Sequence, residues 1–495
     1  MTLPPGVKAT LVVGLEIHVQ LRTATKLFCG CEVRFGAPPN SLTCPVCLGH
    51  PGTLPVMNRE ALRCAVKTAM ALGCRVLPRT KWDRKSYWYP DLPKNYQISQ
   101  YDLPVGLEGA IEIPRGDGTA KTVRIRRVHL EEDAGKNLHD DPEVTLVDLN
   151  RTGTPLLEIV TEPDIASAEE AGALARELQR IVRYMGVADA DMQKGHMRFE
   201  PNINCIIEKD GAEARTPIVE VKNLNSFKAL EAAVAFEFER QAAAYLADPA
   251  YTIERCGKEN RGWDDAALRT LVQRHKEEAH EYRYFPDPDL VPYEWTAEEL
   301  GELAREAPEL PQARRRRLAR ELGIGEGDAL LIVEDRATGD LFEAAVAAGT
   351  CPKTLAKHFI NIWTRLANDA GVAIAGLGLG AGALAELARI QADGTVSATA
   401  AQQIAEAMAK SPEPPRALAA RMGLLQLSDR AAILPFVKDA IAANAKAAAD
   451  YRAGGKKSAK SLGFLQGQAM RLSGGRANPA VIAALLKEEL GPPAG

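Results

Sequence analysis

Through roughly the first 293 residues, apolar and polar positions alternate in short runs. LVVGLEIHVQL, KTVRIRRVHL and LLEIVTEP each repeat with a period of two, which predicts half-buried strands, and Gly/Pro turns separate such runs. Two segments switch to helical spacing, SAEEAGALARELQRIVRYMG and NSFKALEAAVAFEFERQAAAYLA, each opening at a Ser or Asn suited to capping the first turn. Beyond Pro292 the character changes, and from Thr296 onward helices rich in Ala, Leu, Glu and Arg dominate. The pattern predicts an α+β chain. A mixed, largely antiparallel sheet domain should span 1–293, a helical connector 294–327 and an all-α region 328–495.

Length agrees, since 495 residues exceed one comfortable core. Charge adds one local feature. The net charge of -4 hides a stretch from Arg452 to Lys487 that holds seven basic residues and no acidic one. Lys456, Lys457, Lys460, Arg471 and Arg476 are among them, enough to draw a phosphate backbone if they share a face. No leader peptide and no membrane-length apolar run is found, so a cytoplasmic chain without a membrane partner is expected.

Four of the nine cysteines are clustered, as Cys29-Gly-Cys31 and Cys44-Pro-Val-Cys47. Two such pairs offer four thiolates to a tetrahedral Zn²⁺, a closed and therefore structural site; the alternative is four reduced, buried cysteines. Cys64, Cys74, Cys205, Cys256 and Cys351 are scattered and read as packing residues. The acids are equally patterned. A strand over Gly14–Leu21 puts Glu16, His18 and Gln20 on one face and Leu15, Ile17, Val19 and Leu21 on the other. Val128–Lys136 offers His129 and Glu131 on one face, with Glu132 and Asp133 adjacent, and Leu156–Asp164 offers Glu158 among aliphatics. Carboxylates in apolar strands cost free energy unless paired or bound to a cation. Converging, they would make a Mg²⁺ site of the kind phosphoryl transfer uses; otherwise they are separate, salt-bridged acids.

The run Lys85–Pro104 interleaves Lys85, Tyr87, Tyr89, Tyr96 and Gln97, which suits a base-stacking or RNA-terminus pocket and equally a rigid loop packed on a sheet. Two other strings carry less. GVAIAGLGLGAGAL (Gly371–Leu384) imitates a dinucleotide loop, but it stands alone among helices and reads as a linker. Arg314–Arg317 reads as a solvated helix start. No Walker A motif occurs, so an ATP site must be of another kind.

Taken in order, GLEIHVQL, TKLFCGC, CPVCLGHPGTLPVMN, DRKSYWYPDLPKNYQISQYDLP, HLEEDAGK, DLNRTGTPLLEIVTEPD, EVKNLNSFKALE and HKEEAHEYRYFPDPDL resemble the B subunit of the glutamyl/aspartyl-tRNA amidotransferases, the GatB family. DGTVSATAAQQIAEAM, LLQLSD, GFLQGQAM and RANP resemble its YqeY-type tail. The resemblance implies a cradle-like domain that binds ATP and the acceptor end of misacylated tRNA(Gln) or tRNA(Asn). This domain would phosphorylate the Glu or Asp side chain, and ammonia would convert the acyl phosphate to the amide. Glu16, His18, Glu131, Glu132 and Glu158 fall on the family's Mg²⁺ positions, with Glu131 and Glu132 not distinguished by the string. A His beside so hard a cation leaves Mn²⁺, or a water-bridged His18, as alternatives. Lys85, Tyr87, Tyr89, Tyr96, Gln97 and Arg198 are the candidates for contact with ATP or substrate. The four cysteines match a zinc site found in part of the family, and the tail from about 400 would hold tRNA. No amidase signature is present, so ammonia would come from a separate amidase partner, with a small third protein clamping the two.

Two strings depart from the family pattern. Where it reads G-S-L-R-C-D-A-N, this chain has Gly195-His-Met-Arg-Phe-Glu-Pro-Asn202, with Pro201 expected to stiffen a loop; where it reads Q-E-T-R, the chain has Lys258-Glu-Asn-Arg261. A rival reading, a tRNA-binding homologue with a decayed kinase, would have shed the acids, yet they are present.

Overall fold

Strand Val7–Gln20 is the spine of the first unit, because Leu11, Val13, Leu15, Ile17 and Val19 bury themselves in turn on one face. In the computed structural model, which describes residues 3–141, 143–275 and 282–493, it lies inside a ten-stranded sheet between Pro155–Thr161 and Met197–Lys209, antiparallel to both. Beyond Pro155–Thr161 come Ala120–Glu132, Gly106–Pro114 and Arg75–Val76; beyond Met197–Lys209 come Ile218–Lys222, Lys258–Asp264 and Arg269–His275. The pairing of Ile218–Lys222 with Lys258–Asp264 is parallel, the others antiparallel.

Three helices cover the apolar face. Arg59–Ala71, Ala168–Tyr184 and Phe227–Ala247 start at Asn58, Ser167 and Ser226, whose side chains accept first-turn N–H bonds. Their Leu62, Val66, Leu174, Leu178, Leu230 and Val234 share one core with Leu15, Ile17 and Val19. The opposite face of the sheet is thereby left for polar groups. A small sheet of Asp83–Ser86, Tyr96–Ser99 and Phe285–Pro286 accompanies the large one.

Helix Ala297–Glu306 joins this unit through Arg59–Glu299 (3.1 Å) and Arg63–Glu306 (2.7 Å) ion pairs, and the unit ends at Leu310. The second unit, Pro311–Gly495, is helical among its described residues apart from an isolated bridge between Leu427 and Ala477. Its last helices close on Ile433, Val437, Leu465, Ile482 and Leu486. No helix among the described residues is long and apolar enough to cross a membrane.

Three expectations are corrected. Pro201 is not in a loop: it lies within strand Met197–Lys209, paired with Leu15, while Phe199, two residues before it, packs on Phe227 at 6.0 Å in the core. Arg314 and Arg315 are buried rather than solvated, because Glu343 and Asp340 receive the Arg314 guanidinium at 2.7 and 2.8 Å. Cys256 and Cys351 are exposed, not packed, whereas Cys64, Cys74 and Cys205 are buried as expected. The Gly371–Leu384 string contains a 3₁₀ turn, Ile374–Leu377, and then enters helix Ala381–Ala392, with no strand.

Candidate functional site

Antiparallel register builds the first constellation. His129 faces Glu158, Glu158 faces His18, and His18 faces Arg198 across four adjacent strands. Residues two apart share a face, so Glu131, Glu16, Gln20 and Glu200 join this row on the polar side. His18 Nε2 lies 3.7 Å from Glu131 Oε1 and 3.6 Å from Glu158 Oε2. His129 Nε2 lies 3.7 Å from Glu131 Oε2 and 3.2 Å from Glu158 Oε2, and Ser99 Oγ donates to Glu131 at 3.3 Å.

Burial works against the charges here, and the charges answer one another. Burial disfavours the His18 imidazolium, but the Glu158 carboxylate, aided by Glu200 and Glu131, pushes its pKa up to about 9. Glu158 is held well below the usual carboxylate range against its burial, chiefly by His129 and then His18. Glu131 is lowered likewise, with His129 the main opponent of desolvation. Glu16 behaves oppositely: burial, then Glu158, Glu220 and Glu200, raise its pKa. The Nδ1 atoms of His18 and His129 are buried without hydrogen-bond partners.

A metal fits this donor set. His18, Glu131 and Glu158 each offer an atom within 4.8 Å of the others. A six-coordinate cation with bonds of about 2.1 Å spaces its ligands about 3.0 to 4.2 Å apart, so small adjustments suffice. Glu16 is beside this trio rather than in it, accepting from Asn202 Nδ2 at 3.1 Å. Glu132 is on the other side of the strand. Its carboxylate accepts from Ile98 N at 2.9 Å and pairs with Lys94.

Arg198 is anchored at this face by Asp133, which accepts from Arg198 at 3.0 Å and from Gln20 Nε2 at 2.8 Å. Burial disfavours the Lys85 cation, yet Glu131, Tyr284 and Glu158 outweigh it and raise its pKa. Tyr87 donates to Gln97 Oε1 at 3.2 Å, and Gln97 donates to the Glu132 carbonyl at 2.8 Å. Tyr96 turns away, stacked under Arg84 at 4.4 Å, and Tyr89 is exposed. His129 and Asp133, grouped with the strand acids in the sequence, join the constellation, and Ser99 joins it without having been singled out. For His129 a signal existed, its position on the Glu131 face of HLEEDAGK. Of the HKEEAHEYRYFPDPDL string, residues 276–281 lie outside the described residues.

The second constellation is the cysteine knuckle. Cys29, Cys31, Cys44 and Cys47 present sulfurs within 4.8 Å of one another. Tetrahedral zinc with Zn–S of about 2.3 Å needs sulfurs about 3.8 Å apart, and Cys44 and Cys47 stand at 3.9 Å. Leu48 N and His50 N donate back to Cys44 O and Pro45 O, closing the turn. The Cys29 thiol, then the Cys44 backbone N–H and Lys26, bring Cys47 down to about 4 against its burial. Lys26 is almost wholly buried, its Nζ 3.6 Å from Cys47 Sγ. A cavity of about 130 Å³ separates this knuckle from Lys94 and Glu132. In the tail, Lys457, Lys460, Arg471 and Arg476 are all exposed; the side chain of Lys456 lies outside the described residues.

Comparison with known proteins gives two family matches, a GatB/GatE catalytic domain over residues 11–300 and a GatB domain over 340–490. Among curated relatives, the aspartyl/glutamyl-tRNA(Asn/Gln) amidotransferase B subunit of Thermosynechococcus vestitus is 45% identical over 97% of this chain and 96% of its own length. The proteins of the same name from Moorella thermoacetica and Thermomicrobium roseum are 44% and 45% identical, each covering 97% of this chain and 99% of the relative.

Proposed function

The chain belongs to the GatB/GatE amidotransferase family, and from that premise we propose that it activates the side-chain carboxylate of Glu on tRNA(Gln), or Asp on tRNA(Asn), with ATP. A carboxylate oxygen attacks the γ-phosphorus, ADP leaves, and an acyl phosphate results. Ammonia then adds to the acyl carbon, loses a proton and expels phosphate. The observation that carries this reading is the meeting of His18, Glu131 and Glu158 on the open face of the sheet.

Bound there, Mg²⁺ or Mn²⁺ would neutralise phosphate charge, the main demand of phosphoryl transfer. The protein's own contribution is positioning. His129 and Ser99 hold the two carboxylates, while Asp133 and Gln20 hold Arg198 at the same face. Lys85, kept charged by Glu131 and Glu158, offers a fixed cation to a phosphate oxygen. Glu16 and Glu132 take other parts, Glu16 beside the trio and Glu132 with Lys94 on the far side. The cysteine knuckle, with four thiolates and no free position, is a structural zinc site. The exposed basic residues of the tail take the tRNA backbone. Ammonia reaches the site from a separate amidase partner, with a small third protein joining the two, in a cytoplasmic complex.

The test supplies ammonia directly, so that product reports the step of this chain itself. The assembled enzyme, ATP, Mg²⁺ and ammonia are incubated with Glu-tRNA(Gln), and Gln-tRNA(Gln) and ADP are followed for wild type, Glu158→Gln and Glu16→Gln. Conversion by wild type with loss in Glu158→Gln is expected. Bound tRNA without ADP or Gln-tRNA would instead favour a binding-only homologue.

A further inference from the structure

Five aromatic rings outside the metal-binding trio gather where the two polar segments Asp83–Tyr101 and 282–285 meet. Ser86 N donates to Tyr282 O at 2.8 Å, which ties the segments together. Tyr101 stacks on Tyr284 with centroids 4.5 Å apart and planes 16° from parallel. Tyr282 meets Tyr284 edge-on at 6.3 Å and Tyr87 at 6.1 Å, and Lys85 Nζ stands 4.9 Å from the Tyr282 ring. Trp88, 69% exposed, lies under Arg283 at 5.8 Å.

Tyr101 is 55% exposed although a second ring backs it, so one of its faces is braced and the other is open. Such a ring loses little freedom when a further flat group stacks on it. Its place along the chain matters as well. Tyr101 follows by two residues Ser99, whose hydroxyl bonds Glu131, and its own backbone is held because Tyr101 N donates to Asp83 Oδ2 at 3.0 Å. Two residues of chain span at most about 7 Å, so the braced ring stands close to the trio, and the Lys85 cation is acted on by both Glu131 and Tyr284.

We propose that the Tyr101–Tyr284 stack is a platform for the adenine of an adenosine nucleotide whose phosphates point toward Lys85 and the His18–Glu131–Glu158 trio. The inference rests on the reading that ATP and the tRNA terminus meet at this face. It adds which residues take the base. The shared chemistry is adenosine, supplied either by ATP or by the 3′-terminal nucleotide of the tRNA.

Full-length wild type, Tyr101→Ala and Tyr101→Trp are titrated with ADP and with pyrophosphate in the presence of Mg²⁺, and with tRNA(Gln) transcripts that carry or lack the terminal adenosine. If the base is that of ATP, Tyr101→Ala loses roughly 5- to 150-fold in ADP affinity, the range of a lost base stack, while pyrophosphate binding is unchanged and Tyr101→Trp restores ADP. If the base is that of tRNA, the same loss appears for the complete transcript, and the difference between the two transcripts disappears in Tyr101→Ala. Equal affinities of wild type and Tyr101→Ala for every probe overturn the platform while leaving the ATP reading intact. A wild type that binds neither ADP nor tRNA overturns the underlying reading, and the platform with it.

Discussion

Replacing His129 by Asn tests the architecture of the proposed metal site most directly, because His129 touches its candidate ligands Glu131 and Glu158 without being needed as one. Its Nε2 approaches Glu158 Oε2 at 3.2 Å, closer than His18 at 3.6 Å or Arg127 at 4.0 Å. Glu131, by contrast, keeps both Ser99 and His18 when His129 is removed. The loss therefore falls mainly on the aim of Glu158. Removing such a supporting partner costs about 10- to 100-fold in metal affinity, or about 1.4 to 2.7 kcal/mol at 1.36 kcal/mol per decade. With the nearest of three partners gone, a loss of about 30-fold is expected. The assay titrates Mn²⁺ into the full-length variant and counts free ion by electron paramagnetic resonance, with amidation rates measured at rising Mn²⁺ in parallel. Activity should return at saturating metal, since positioning is lost and the ligands are not. Affinity unchanged within about threefold, or activity that excess metal fails to restore, would refute the reasoning.

Three further outcomes are expected. Lys26→Met removes the buried cation beside Cys47, and zinc release to a chromogenic chelator should quicken by about tenfold; equal release rates would show that the buried lysine does not compensate the thiolates. Glu200, lowered from 4.5 to about 2 by His18 and Lys222 against its burial, contributes stability that is present above pH 4.5 and is lost as pH falls toward 2. The urea midpoint of Glu200→Gln should accordingly lie below wild type at pH 6 and approach it as the medium is acidified; a gap independent of pH would disprove the pairing. Ser226→Ala strips the cap from helix Phe227–Ala247 and should cost about 1 kcal/mol, read as a lowered thermal midpoint. An unchanged midpoint would mean that the cap adds nothing to the packed helix.

Much of this was legible in the chain, and the reason is periodicity. The period of two in GLEIHVQL assigns Leu15, Ile17 and Val19 to the core and Glu16, His18 and Gln20 to the opposite face, as observed. The close cysteine pairs likewise bring their sulfurs together because few residues separate the members of each pair. Convergence of His18 with Glu131 and Glu158 was not legible from the strings alone, because it depends on the register of strands more than a hundred residues apart. Telling Glu131 from Glu132 required knowing where strand Ala120–Glu132 faces its neighbour. Tyr284 was hidden for the same reason, lying far along the chain from the Tyr101 on which it stacks. Arg314 misled because a run of arginines looks solvated until Asp340 and Glu343 arrive together from helix Arg336–Ala347. Pro201 misled because proline argues for a loop, whereas the pairing with strand Ile218–Lys222 begins only at Asn202.

Glu131 and Glu132 are consecutive, yet one looks toward His18 and the other toward Lys94 and the cysteine knuckle. A single residue inserted upstream in that strand would turn Glu131 toward Lys94 and bring Leu130 to face His18, leaving the trio without one of its carboxylates. Length changes in this part of the chain are therefore tolerable only where the pairing of Gly106–Pro114 with Ala120–Glu132 turns over, at residues 115–119. Across descendants of this sequence, insertions should accumulate at that turn and be purged from the thirteen residues that follow it.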